Sequence, residues 1–140
     1  MRKPRLVMTN GCFDMLHVGH VRCLQAARAL GDALIVVVNT DAAVRVLKGE
    51  GRPVQTCEDR AEILRALRCV DGIHVTDQTC LALIIRAIRP AIWAKGGDYT
   101  LETLDQGEVA AAREVGAEIV LLPKFDGPST TAIVKKMRGE

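Results

Sequence analysis

Thr9-Asn10-Gly11-Cys12-Phe13-Asp14-Met15-Leu16-His17-Val18-Gly19-His20 is the stretch on which the reading of this chain turns. An apolar run, Leu6-Val7-Met8, precedes it, and a helical pattern follows it to Gly31. A strand therefore runs into a small-residue turn, and the turn opens a helix bearing two histidines. Helix N-termini present free N–H groups and the positive end of the dipole, a setting suited to phosphates. His17 and His20 stand three apart and are expected to share a helix face. Gly19 between them lets a ligand approach the backbone closely. Two other readings stand beside this one: a capped helix with two incidental histidines, and a zinc-like cluster of Cys12, His17, His20 and Cys23. The metal reading is disfavoured, because structural zinc sites bring paired Cys-x-x-Cys knuckles and the chain has none.

Composition narrows the classes. The 140 residues are one domain's worth, and residues 1–140 read as a single domain. Apolar residues make up 49%, enough for a core, while the longest apolar runs are too short to span a bilayer. The basic start, Met1-Arg2-Lys3-Pro4-Arg5, leads into a short strand and not into a signal sequence, so a cytoplasmic protein without a membrane partner is expected. Net charge is +2 with scattered basic residues, and aromatics are 3%, which argues against a nucleic-acid partner. Five irregularly spaced cysteines fit free thiols in a reducing compartment.

Along the chain, strands and helices alternate. Arg5 to Thr9 reads as the first strand and Leu16 to Leu30 as a helix with Leu16, Cys23, Ala27 and Leu30 on one stripe. Leu34 to Asn39 is a continuous apolar run, as in a parallel strand covered on both faces. Thr40 or Asp41 caps a short helix through Leu47, followed by a glycine-rich loop from Lys48 to Pro53. Thr56 caps the next helix, with Asp59 three residues on and an apolar stripe of Ile63, Leu64, Leu67 and Val70. Strands follow at Gly72 to Val75, Ala91 to Lys95 and Glu118 to Leu122, with helices at Leu81 to Ile88, Glu102 to Val115 and Ser129 to Arg138. This order predicts an α/β fold: a doubly wound, mainly parallel five-stranded sheet with helices on both faces and a ligand site at the carboxyl ends of the strands.

Gly11-Cys12-Phe13-Asp14-Met15-Leu16-His17-Val18-Gly19-His20 resembles the His-x-Gly-His signature of the cytidylyltransferase-like nucleotidyltransferases, which have a Rossmann-like fold. Later stretches resemble the same family over nearly the whole chain, and Lys95-Gly96-Gly97-Asp98-Tyr99 is similar to the nucleotide-recognition turn of its heptose branch. The resemblance implies transfer of AMP from ATP to a sugar 1-phosphate, heptose 1-phosphate in first place, with release of pyrophosphate. His17, His20 and Lys48 would be the catalytic groups. Gly11, Cys12, Phe13, Gly19, Lys95, Gly96, Gly97 and Asp98 would bind the nucleotide, and Asp14, Arg52 and Arg60 the acceptor. From sequence alone, Lys48 and Arg52 also fit a solvated loop, Arg60 an ion pair with Glu58 or another helix neighbour, and Trp93 core packing.

Lys124-Phe125-Asp126-Gly127-Pro128-Ser129-Thr130-Thr131 resembles the family's last motif, commonly Arg-Thr-Glu-Gly-Ile-Ser-Thr-Thr. It implies that Lys124, Ser129, Thr130 and Thr131 hold phosphates at a helix start. Lysine in place of arginine loses a bidentate fork, and Phe125 removes a hydroxyl, so phosphate affinity or base contacts are expected to differ at this end. Mg2+ is expected with the triphosphate, held mainly by phosphates and water, with Asp14 the nearest carboxylate. The heptose enzymes are often fused to a sugar kinase; 140 residues leave no room for one, so a separate kinase upstream is implied. A CTP-dependent enzyme acting on a polyol phosphate such as glycerol 3-phosphate, and a silent nucleotide-binding regulatory module, are the alternatives. A homo-oligomer is left open.

Overall fold

The computed structural model describes residues 3–125 and 130–140. Its elements are β1 (Leu6–Gly11), α1 (Val18–Ala29), β2 (Ala33–Asn39), α2 (Asp41–Lys48), α3 (Cys57–Arg65), β3 (Gly72–Thr76), α4 (Ala82–Ile88), β4 (Ile92–Lys95), α5 (Gln106–Glu114), β5 (Glu118–Leu121) and α6 (Thr130–Met137). The five strands form one sheet in the order β3-β2-β1-β4-β5, and every neighbouring pair is parallel. Strand order reverses at β1, which lies between β2 and β4. Ligand crevices in doubly wound sheets open at such a switch point, beyond the carboxyl ends of the strands.

Alternation along the central strands decides which layer each residue joins. Val7, Val36, Val38 and Ala94 point to a core that includes Leu24 and Ala27 of α1 and Leu64 of α3. Met8, Val37 and Trp93 point to the opposite core, closed by Ile85 of α4 and by Val109 and Ala112 of α5. Being covered on both faces, these strands read as unbroken apolar runs. Fully burying one such side chain contributes about 1.5–3 kcal/mol, so the sheet centre is the rigid base from which the loops project.

Several element boundaries differ from the sequence expectation, each for a local reason. β1 continues through Asn10 and Gly11, whose partners in β2 are Val37 and Val38. α5 begins at Gln106 and not at Glu102, because Thr100 and Thr103 close their own turn and Asp105 Oδ1 accepts the Glu108 N–H as the true cap. α3 stops at Arg65, so Leu67 and Val70 pack against the first core from the connection that follows, while Ile63 is exposed. Thr40 and Thr56 cap α2 and α3 as their sequence signals predict, accepting from Ala43 and Asp59.

Candidate active site

The turn after β1 sets the site. Phe13 and Met15 both adopt positive φ, 50° and 58°, a conformation uncommon for side-chain-bearing residues. His17 follows, and it is not inside the helix: its extended backbone makes it the N-cap of α1. Its Nδ1 accepts from the Gly19 N–H at 3.1 Å, and His20 Nδ1 reaches back to accept from the His17 N–H at 3.1 Å. The two histidines thus build the reciprocal cap that Ser and Glu form elsewhere. Their rings lie 3.9 Å apart, and Phe13 meets His20 edge-on at 5.6 Å.

This cap has a chemical consequence. A ring nitrogen that accepts a hydrogen bond carries no proton, so in each neutral imidazole the proton sits on Nε2. The rings line two adjoining cavities, to which they bring N–H donors. Burial, and then the neighbouring His17, depress the His20 imidazole to about 4. Burial lowers His17 as well. Near pH 7 the pair is therefore neutral and fixed in one tautomer, a preorganised pair of N–H donors.

A second unit holds the loop after α2. Asp14 is buried, and its carboxylate accepts from Arg52 Nε at 2.8 Å, the Val54 N–H at 2.8 Å and the Gln55 N–H at 2.9 Å. Burial alone would raise this carboxyl; the two backbone donors and Arg52 outweigh it and hold it below the usual carboxylate range. Arg60 is wholly buried and donates to Cys12 O at 2.6 Å, Gln55 O at 3.0 Å and Asp41 Oδ1 at 3.0 Å. It ties the β1 turn to the start of α3. Asp14 thus lines the larger cavity while its carboxylate is engaged by Arg52 and two backbone N–H groups, and Arg60 is wholly buried with its guanidinium bonded to protein, so both anchor the loops around the site. The expected ion pair of Arg60 with Glu58 is replaced by one with Asp41.

Lys48 ends α2, and Gly49 and Gly51 after it take left-handed φ values of 94° and 85°, which turn the chain back towards the site. Lys48 lines both cavities, and Arg52 lines the larger one, of about 670 Å3. Lys95, at the end of β4, also borders both; burial lowers its ammonium against the upward pull of Glu108, and its Nζ lies 4.9 Å from the centre of the Tyr99 ring. Gly96, Gly97, Lys124 and Phe125 line the smaller cavity, of about 330 Å3. Such volumes suit small-molecule ligands. Gly96 is required by packing: a Cβ there would stand 2.5 Å from Cys23 Sγ.

The sites expected from sequence largely converge here. Gly11, Cys12 and Phe13 border both cavities, Gly19 the smaller and Thr131 the larger. Cys12 is a turn residue whose thiol burial pushes up, against the pull of Lys48, so it is no thiolate. Asp98 and Lys124 form an exposed ion pair at 3.8 Å. Ser129 lies outside the described residues, and Thr130 opens α6. Trp93 is core, donating through Nε1 to Asn10 Oδ1 at 3.0 Å, and it lines neither cavity. Sequence reasoning missed Glu108, which is 7% exposed and lines the larger cavity. The spacing Asp105-x-x-Glu108 was a usable signal, hidden when the helix was started at Glu102. Among the described residues no group of three or more His, Cys, Asp or Glu side chains is placed to hold a metal ion.

Residues 8–136 match the cytidylyltransferase-like family. The chain belongs to this family of nucleotidyltransferases. More particularly, it is 49% identical over 131 residues, 94% of its length, to the bifunctional protein HldE of Streptomyces coelicolor, and 48% identical over 133 residues to that of Geobacter sulfurreducens. It spans only 28% and 27% of those proteins. A lipopolysaccharide core biosynthesis protein from Thermoplasma volcanium superposes with a TM-score of 0.76 at 28% identity, covering 89% of this chain and all of that one. Pantoate-beta-alanine ligase from Francisella tularensis, at 12% identity and a TM-score of 0.57, covers 91% of this chain and 62% of its own; it shares the fold alone.

Proposed function

We propose that this chain transfers AMP from ATP to a sugar 1-phosphate, heptose 1-phosphate being the favoured acceptor, and releases pyrophosphate. The observation that carries the reading is the pair of tautomer-locked imidazoles at the start of α1, bordering both cavities together with Lys48 and Lys95. Similarity to the HldE proteins and the Lys95–Tyr99 turn favour the heptose acceptor and adenine.

In this reading the nucleotide lies in the smaller cavity, along the Gly96–Gly97 turn and Lys124, and its α-phosphate reaches the wall that both cavities share. The acceptor phosphate enters from the larger cavity, near Arg52. An acceptor oxygen attacks the α-phosphorus in line, that P–O bond forms, and the bond to the β-phosphate oxygen breaks with its electrons leaving on pyrophosphate. His17 and His20 donate Nε2–H bonds to the oxygens where charge grows, and Lys48 neutralises the same region. No side chain becomes covalently attached. Binding and positioning on this preformed wall supply the rate.

Mg2+ belongs to this reading as the counter-ion of the triphosphate. Among the described residues no carboxylate cluster is placed to cage it, and Asp14, which lines the larger cavity, is engaged by Arg52 and two backbone N–H groups. No helix among the described residues is long and apolar enough to cross a membrane. We place the reaction in the cytoplasm, supplied with acceptor by a sugar kinase.

Pyrophosphate release measured for ATP, CTP and GTP against heptose 1-phosphate and glycerol 3-phosphate tests the reading. The expected result is heptose 1-phosphate with ATP, preferred at least about tenfold in kcat/KM, a difference of about 1.4 kcal/mol in transition-state binding. CTP with glycerol 3-phosphate as the better pair overturns the substrate assignment. Tight ATP binding without turnover on any acceptor overturns the enzyme reading.

A further inference from the structure

We propose that Glu108 receives hydroxyl groups of the acceptor sugar and is the specificity-determining residue of the acceptor half of the site. The proposal rests on the nucleotidyl-transfer reading above, and deepens it by naming what the larger cavity recognises.

Two cavities share the imidazole and lysine wall, and they differ in what lies beyond it. The smaller adds the Gly96–Gly97 turn, Lys124 and Phe125. The larger adds Arg52 and Asp14 on one side and, from β2 and the starts of α4 and α5, Asn39, Leu81, Asp105 and Glu108. A cation suits the acceptor's phosphate. A carboxylate repels it, and recognises instead a neutral ligand that donates hydrogen bonds, which is what a polyhydroxylated sugar offers.

Glu108 is built into place. It sits in the first turn of α5, its own N–H taken by Asp105, and its Oε2 accepts the Leu81 N–H at 2.7 Å at the start of α4. One hydrogen bond uses one of about four lone-pair sites of a carboxylate, leaving acceptor capacity for a ligand. Burial pushes the Glu108 carboxyl up, while the Leu81 N–H and the charge of Lys95 pull it back. A carboxylate about nine-tenths buried is costly to keep without partners; the Leu81 N–H and the charge of Lys95 are two, and lone pairs remain for a third. A sugar hydroxyl in the cavity is such a partner, and the bond it makes there is charge-assisted. Asn39 lies on the same wall, its Nδ2 donating to Gln78 O, so its orientation is fixed as well.

The competing account is that Glu108 only staples α5 to α4. Glu108→Gln separates the two, because the amide oxygen keeps an acceptor for Leu81 while the charge is lost. The assay is pyrophosphate release with the accepted sugar phosphate and its monodeoxy analogues, in the wild type and in the variant. We expect kcat/KM for the sugar phosphate to fall at least about tenfold, with KM for ATP unchanged within about twofold. One deoxy position should cost about tenfold in the wild type and less than about twofold in Glu108→Gln, the signature of a direct contact. Equal costs of every deletion in both proteins, or parallel rises in KM for ATP and sugar phosphate, overturn the proposal. If circular dichroism shows that Glu108→Gln does not fold, Glu108→Asp is read by the same cycle. Should heptose 1-phosphate fail while another phosphorylated polyol serves, the heptose assignment falls, and the cycle on that acceptor still decides the role of Glu108.

Discussion

Replacing His17 by Asn divides its two roles. Asparagine places an oxygen where Nδ1 stands and is among the best N-cap residues, so the bond from the Gly19 N–H survives. What disappears is Nε2–H, the donor that the proposed mechanism uses. Losing one preorganised donor of this kind costs about 10²–10³ in kcat, about 2.7–4 kcal/mol, so that is the expected fall in pyrophosphate release at saturating substrates. Thermal unfolding should stay within about 2 °C of wild type. His17→Gln is the mirror experiment. Its longer side chain can set a donor near the Nε2 position, but it gives up the short-range cap, worth about 1 kcal/mol, or about 4 °C in a chain of this size. Gln should thus melt lower and turn over faster than Asn, while His17→Ala suffers both losses. Gly19→Ala reaches the same ring from outside, since its Cβ would stand 2.9 Å from His17 Cε1 and push the imidazole aside. A His17→Asn protein within about threefold of wild-type kcat would refute the catalytic reading and leave His17 as a cap alone.

The histidine cap also makes stability pH-dependent. The folded His20 binds its proton only near pH 4, whereas the unfolded chain binds it near pH 6.5, so between those values unfolding takes up a proton. Stability should be complete above about pH 6.5 and decline as pH falls towards 4, by roughly 1–2 kcal/mol once solvent screening of the partly buried ring is allowed for. Urea melts from pH 7.5 to 4.5, with His20→Asn as the non-titrating control, check this; the same slope in both proteins would count against it. At the other end of the site, Gly96→Ala should cost about 1–3 kcal/mol by driving a methyl into Cys23 Sγ, and Cys23→Ala in the same chain should restore most of it, because the next atom is then Cys23 Cβ at 3.9 Å. Additive losses in the double variant would show that the clash is not the cause.

What the sequence disclosed, and what it hid, follows from the range of the interactions involved. The sheet was readable because each strand signals its own burial: Leu34 to Asn39 is apolar at every step but the last, and parallel strands covered on both faces need just that. Thr40 and Thr56 announced their helices because a cap acts over three residues. Helix α5 was misplaced because Glu102 suits a helix as well as Asp105 does, and only the Thr100–Thr103 turn decides between them.

The site divides in the same way. His17, His20, Lys48 and the Lys95 turn, which border the cavities, could be picked out because they stand in contiguous motifs, even though the cap geometry places His17 outside the helix. The anchoring contacts of Arg60 and Asp14 were not legible because a charged residue in a motif looks identical whether it faces a ligand or another segment. Cys12 O lies 48 residues from Arg60, and the N–H groups of Val54 and Gln55 lie 40 and 41 from Asp14. Their partners are fixed by the tertiary fold, and buried charge demands such partners more strongly than substrate binding would. Glu108 is the converse case: a first-turn glutamate on a helix is expected to be a cap residue facing water. Only the packing of α5 against α4 turns it inward to the Leu81 N–H and the cavity wall. The residues proposed to hold phosphates announce themselves locally, because helix starts and glycine turns are local devices. A residue that would choose among acceptors stands at the meeting of distant elements: the Asp105-x-x-Glu108 spacing marks a helix start, and nothing in it marks the cavity.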